Sequence, residues 1–186
     1  SGDSFANHAS LFKLNGYPAD RLHVFDWNTF DEETDHVANL DALVNEVIAE
    51  SGCLYAHLMG HSAGGGLAVS FLEDKERAEK VAKYIHIGSF PLEELPGAND
   101  HTIPSLFIWS EGDLAVPVSG ESAIPLCMQD GELAEQDHYA VATSIESFRE
   151  IYAFLTGNEP ENILFPEAEK NLVVGGRVVT LGENTP

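Results

Sequence analysis

The chain has 186 residues, 44% of them hydrophobic, enough to bury one sizeable core and too few to expect a second full domain. Its 31 acidic against 9 basic residues give a formal charge of -22, which repels phosphate backbones and anionic lipid, so nucleic acid is a poor partner and the carboxylates read as a solubilising surface. No apolar run approaches the roughly 18 to 20 residues needed to cross a bilayer, and the opening SGDSFANHAS lacks the basic and apolar regions of a signal peptide.

In chain order, SFANHASLFKLNGYP places Phe5, Ala9, Leu11, Phe12 and Leu14 near helical spacing and stops at Asn15-Gly16 with Pro18 beyond. RLHVFDW reads as a short apolar strand over residues 21–27. DHVANLDALVNEVIAESG carries an amphipathic stripe at Val37, Leu40, Leu43, Val44, Val47 and Ile48, closed by Gly52. CLYAHLMG, apolar on both faces, reads as a central strand. LAVSFLEDKERAEK is helical, VAKYIHIGSF strand-like, and IPSLFIWSEGD a strand ending in a turn. GELAEQDH fits a short strand, and SIESFREIYAFLTG a helix stopped by Gly157.

Alternating strands and helices predict an α/β domain over residues 1–157, with a mostly parallel central sheet and helices on both faces. Active residues in such a sheet lie at the carboxyl ends of the strands. Residues 158–186 alternate apolar positions around Gly175-Gly176 and read as a C-terminal extension, either packed along the core or opening a β-domain. Cys53 and Cys127 form no zinc-type spacing and permit one disulfide without requiring it.

The stretch GHSAGG, from Gly60 to Gly65, sits where an apolar strand passes into a helical segment. A serine attacks a carbonyl only when a base takes its proton and amide N–H groups receive the oxyanion. A strand-turn-helix with flanking glycines supplies that geometry, and side chains at Gly60 and Gly64 are expected to collide with the neighbouring strand and helix. A phosphate-cradling loop would need a lysine followed by serine or threonine, and neither follows these glycines. Asp113 falls in the turn after one strand and His138 after the last short one, so Ser62, Asp113 and His138 follow the chain order of one triad class.

Through SFANHASLFKLNGYPADRLHVFDW, GHSAGG, YIHIGSFP, IWSEGDLAVP and DHYAV, the chain resembles α/β-hydrolases, and among them the small bacterial and archaeal lipases and carboxylesterases without a large cap domain. The resemblance implies a carboxylic ester hydrolase working through an acyl-enzyme, with a small-molecule or lipid-like ester as substrate and no cofactor. Ser62 would be the nucleophile, His138 the general base and then acid, Asp113 the residue that fixes the tautomer of His138, and the N–H of Ala63 one oxyanion donor. Secretion is implied on the same ground. Members of this family carry, before the first helix, a strand ending in His-Gly whose loop gives the second oxyanion N–H. The resemblance therefore implies an N-terminal segment ahead of Ser1 that completes the sheet, unless another stretch such as NLVVGGRVVTL fills the slot. A thioesterase or amidase would share the triad, and a binding module could keep the fold without activity.

Among other residues, His57 and His61 stand four apart in a strand, which places both on one face but far apart, so no metal site is read. His61 is expected to pack the turn, and His23, His86 and His101 to be satisfied polar groups near strand ends. Asp137, Asp26 and Asp100 are weaker candidates than Asp113 for the orienting acid. Trp27 and Trp109 read as core residues that could border an acyl pocket. Only PLEELPGANDHT separates two strands where a cap could be inserted, so the cleft is expected to be shallow and open.

Overall fold

A computed structural model describes residues 5–92, 96–97, 102–115, 127–128 and 135–164. Its elements are α1 (Ala6–Leu14), a 3-10 turn (Ala19–Arg21), α2 (His36–Ser51), β1 (Ala56–His61), α3 (Ala63–Leu72), α4 (Lys75–Ala78), β2 (Val81–Ile87), β3 (Ser105–Ile108), β4 (Cys127–Met128), α5 (Ala140–Thr143) and α6 (Ile145–Thr156). The strands form one sheet in the order β1-β2-β3-β4, and every pairing is parallel. This is an α/β arrangement, as the alternating pattern predicts.

The core divides on the two faces of the sheet. Ile85 and Ile87 of β2 and Leu106 and Ile108 of β3 pack with Leu11, Phe12, Phe148 and Ile151 of α1 and α6. Tyr84 of β2 lies with Leu40, Val44, Ala68, Phe71 and Leu72 of α2 and α3 on the other face. Alternation along β2 thus feeds both layers. The helix ends follow local chemistry. Asp35 accepts from the Ala38 N–H at the start of α2, Ser144 accepts from the Ser147 N–H at the start of α6, and Gly52 and Gly157 take left-handed conformations at their ends. The Lys83 ammonium of β2 donates to the Phe154 and Leu155 carbonyls at 2.7 and 3.1 Å, closing the C-terminus of α6 against the sheet.

Four expectations change. Residues 22–28 form no strand: Leu22 and Phe25 pack against opposite clusters, as a two-faced strand would, but among the described residues no backbone ladder joins them to the sheet. β1, expected to be central, stands at an edge of the described sheet and is mostly half-buried. The helix expected over residues 67–80 belongs to two, because Asp74 leaves the helix and accepts from the Arg77 N–H to start α4. Of GELAEQDH, residues 131–134 lie outside the described residues and 135–138 form no strand, while the fourth strand of the described sheet is Cys127–Met128.

Beyond α6 the chain meets the end of α1: Asn15 Nδ2 donates to the Asn162 carbonyl at 2.7 Å, and the Asn162 N–H returns a bond to Asn15 Oδ1 at 2.9 Å. Residues 165–186, with the NLVVGGRVVTL stretch, lie outside the described residues, as do His101 and Asp100. Cys53 is a free thiol, and the side chain of Cys127 lies outside the described set. Among the described residues no helix is long and apolar enough to cross a membrane.

Candidate active site

β1 ends at His61 and α3 begins at Ala63, so a single residue, Ser62, makes the turn. Its backbone has φ 55° and ψ -124°, and it is the one non-glycine residue with positive φ among the described residues. An L side chain in this region carries strain of order 1–3 kcal/mol, which persists only where the surroundings over-determine it. Here they do. The Ser62 N–H donates to the Ile87 carbonyl at 3.0 Å, and its own carbonyl accepts from the Gly65 N–H at 2.9 Å and the Ser89 hydroxyl at 2.8 Å.

The glycines around the turn divide by what surrounds them. A Cβ at Gly60 would strike the Gly64 carbonyl oxygen and come within 2.7 Å of the Gly64 carbonyl carbon and 2.9 Å of Gly65 Cα. The strand and helix therefore approach too closely for any side chain at Gly60. Gly64 does not fit the same expectation, since a Cβ there meets nothing within 4 Å. The helical phase places the second tight position at Gly65, where a Cβ would fall 2.5 Å from Ser89 Oγ and 3.1 Å from His86 Cε1. Beneath it, the Tyr84 hydroxyl lies 2.7 Å from His86 Nδ1 and 3.1 Å from the Gly65 carbonyl, and His86 Nε2 donates to the Phe90 carbonyl at 2.8 Å.

Asp113 and His138 meet at the carboxyl end of the sheet. His138 Nδ1 donates to Asp113 Oδ2 at 2.8 Å, and the Asp113 carboxylate is almost wholly buried while Oδ1 accepts from the Ala115 N–H at 3.0 Å. With the proton on Nδ1, the other ring nitrogen of His138 is left as an acceptor. The two loops can converge because Gly112 has no side chain: a Cβ there would come within 2.7 Å of the Glu135 backbone. Gly88 makes room in the same way, its Cβ position falling 3.2 Å from Asp113 Oδ2 and 3.3 Å from the ring of His61.

The rival acids separate. Asp137 accepts from the Tyr139 and Ala140 N–H groups at 2.9 and 2.8 Å, bonds that hold its carboxyl below the usual range and commit it to starting α5. Asp26 is exposed on the segment before α2. His61, expected only to pack, also donates from Nε2 to the His138 carbonyl at 2.8 Å, with the two rings 4.6 Å apart. This places the loop of His138 directly beside the chain neighbour of Ser62. Among the described residues the Ser62 hydroxyl makes no hydrogen bond, to His138 or to the start of α3. Ala63 is the first residue of α3, so its N–H belongs to the unpaired donors of a helix start and faces the turn. Trp109 is buried, whereas Trp27 packs edge-on against His36, 4.8 Å between rings.

Ser89, Gly88, Gly65 and Gly112 are site residues that sequence reasoning missed. The Gly-Ser pair directly after β2 was the available signal, since a strand end that turns sharply can reach its neighbour's loop. Among the described residues no group of three or more His, Cys, Asp or Glu side chains is arranged to hold a metal ion.

Burial also sets a pH response. Desolvation lowers the pKa of His8 and of His86 to about 4, and a hydrogen bond to a backbone carbonyl offsets part of that shift in each. Both are neutral in the fold, whereas the unfolded chain takes up their protons as pH falls below the ordinary value of 6.5. Stability is therefore full above pH 6.5 and falls between 6.5 and 4, by up to about 1.4 kcal/mol per pH unit for each histidine. Urea midpoints at pH 7.0, 5.5 and 4.5 should decline steadily, and His8→Leu should flatten the slope; a flat wild-type profile would contradict the assignment.

No family model matches the chain, and no curated protein matches it.

Proposed function

We propose that the protein is a serine hydrolase that cleaves carboxylic esters through an acyl-enzyme. The reading is carried by the backbone of Ser62, a strained residue held by three hydrogen bonds at a strand-to-helix junction, whose chain neighbour His61 bonds the backbone of His138, itself paired with the buried Asp113. A turn needed only for packing gains nothing from a non-glycine side chain in this conformation. A nucleophile gains a hydroxyl held next to a helix start.

In the proposed reaction His138 Nε2 takes the Ser62 proton as Oγ bonds to the ester carbonyl carbon. Charge on the carbonyl oxygen is received by the Ala63 N–H, reinforced by the start of α3. Collapse breaks the bond to the alcohol, which leaves with the proton from His138. Water then gives its proton to the same nitrogen, attacks the acyl carbon, and the acid departs as Ser62 recovers its hydrogen. Asp113 stays ionised, stabilises the imidazolium and keeps the proton of the resting ring on Nδ1.

Exposed apolar side chains support an apolar acyl group over a polar one. Leu114 follows Asp113, Tyr139 follows His138, and Phe90 lies against the first turn of α3 at Gly66. An acyl chain lying across these residues would be removed from water without needing a deep cavity.

The test is covalent. A fluorophosphonate should label the purified protein at Ser62, located by peptide mass mapping, and Ser62→Ala should remove the label without lowering the melting temperature. Absence of labelling in the wild type would reject the hydrolase reading.

A further inference from the structure

We infer that His61 is a positioning residue: its imidazole holds the backbone of His138 and so sets where the base stands relative to Ser62. The inference rests on the hydrolase reading and adds to it a fourth side chain that touches no reacting atom. His61 is the last residue of β1, paired with Ile87, and the next residue is Ser62. Its Nε2 lies 2.8 Å from the His138 carbonyl. A carbonyl only accepts, so the proton of the His61 ring is on Nε2.

Three observations give this bond a role beyond packing. First, among the described residues no other hydrogen bond joins β1 or the Ser62 turn to the loop that carries His138. The remaining ties of that loop run elsewhere: His138 to Asp113, Gln136 to Ser144, and Asp137 to the start of α5. They fix the loop to the β3 side and the helices, and leave its distance from the nucleophile to His61. Second, the contact is built rather than incidental. The rings of His61 and His138 lie 4.6 Å apart, and the Cβ of any residue at position 88 would press on His61, Asp113 and Val141 together. Third, the donor carries no charge at working pH. Burial, with the neighbouring His138 next in weight, lowers the pKa of His61 to about 4. A lysine or arginine could make the same bond, but its fixed positive charge beside His138 would oppose the imidazolium that forms in the reaction.

Position matters here because proton transfer and attack occur together, and small misplacements of a catalytic group cost large factors in rate. His61 spends its ring donor on the His138 carbonyl, so its loss should fall on turnover.

The experiment compares His61→Phe, which keeps an aromatic ring and removes the donor, with His61→Gln, whose amide can donate at similar reach. For a p-nitrophenyl ester, His61→Phe should lower kcat by about 10- to 100-fold with KM within about twofold. The fluorophosphonate rate constant should fall in parallel, and His61→Gln should recover at least a third of the loss on a logarithmic scale. A structural role alone would show as a lowered melting temperature with no difference in rescue between the two variants. Equal turnover in His61→Phe and wild type would overturn the inference while leaving labelled Ser62, and the hydrolase reading, intact. In the resting protein, histidine ring 15N shifts should report a single Nε2–H tautomer at His61, a readout independent of activity. An Nδ1–H tautomer there would also overturn it.

Discussion

Replacing Asp113 by asparagine should lower kcat by about 10^4-fold while KM changes by less than about threefold. The direction follows from how the carboxylate is held. Oδ1 accepts from the Ala115 N–H, and Oδ2 accepts from His138 Nδ1. An asparagine keeps the first bond by placing its carbonyl oxygen at Oδ1, so its NH2 group takes the place of Oδ2. That group donates, and the facing ring nitrogen must then accept. The proton of His138 moves to Nε2, where it blocks removal of the Ser62 hydrogen. Steady-state kinetics with a chromogenic ester measure the effect, and a loss smaller than tenfold would remove Asp113 from the role.

The second large effect is a contrast between neighbouring glycines. Gly60→Ala pushes a methyl group into the Gly64 carbonyl, and the atoms it meets are backbone, which cannot rotate away. Overpacking of this kind costs about 1–3 kcal/mol, or roughly 2–12 °C in melting temperature for a chain of this size. The start of α3 must shift, taking the Ser62 turn with it, so activity should fall by about 100-fold or more. Gly64→Ala places its methyl group in open space and improves helix propensity, so stability should hold or rise by up to about 1 kcal/mol. Thermal melts of the two variants decide the matter. Equal destabilisation would mean that strand and helix are not in the close contact described.

Why Gly60 was legible and Gly65 was not is a matter of geometry. A small residue at the end of an apolar strand followed by a helical run points to a tight junction from sequence alone. Which glycine of the helix faces the sheet depends on the phase of the first turn, and that phase is fixed by the backbone of Ser62 together with the position of Ser89. The Asp113–His138 pairing was legible in part, because both residues follow strand-like or turn-like stretches in the order Ser, Asp, His. The preference over Asp137 became physical only with the bonds that commit Asp137 to α5.

Strand assignments failed where the ladder, not the side chains, decides. Residues 21–27 are apolar on alternating sides, and Leu22 and Phe25 do bury toward opposite clusters, but a strand exists only where a second backbone pairs with it. The break between α3 and α4 was readable in principle: Asp74 three residues before Arg77 is a helix-start signal inside a run that otherwise keeps helical spacing. His61 was the least legible of the site residues, since a histidine beside a serine says nothing about a carbonyl 77 positions away.

The central claim is that Ser62 carries the acyl group during turnover. Mixing the protein with a slowly hydrolysed p-nitrophenyl ester, quenching in acid within milliseconds to seconds, and measuring intact mass tests it directly. The account predicts a transient added mass equal to the acyl group, mapped to the peptide containing Ser62, with a matching burst of nitrophenol. Ester turnover with no acylated intermediate, or with the acyl group on any residue other than Ser62, would contradict it.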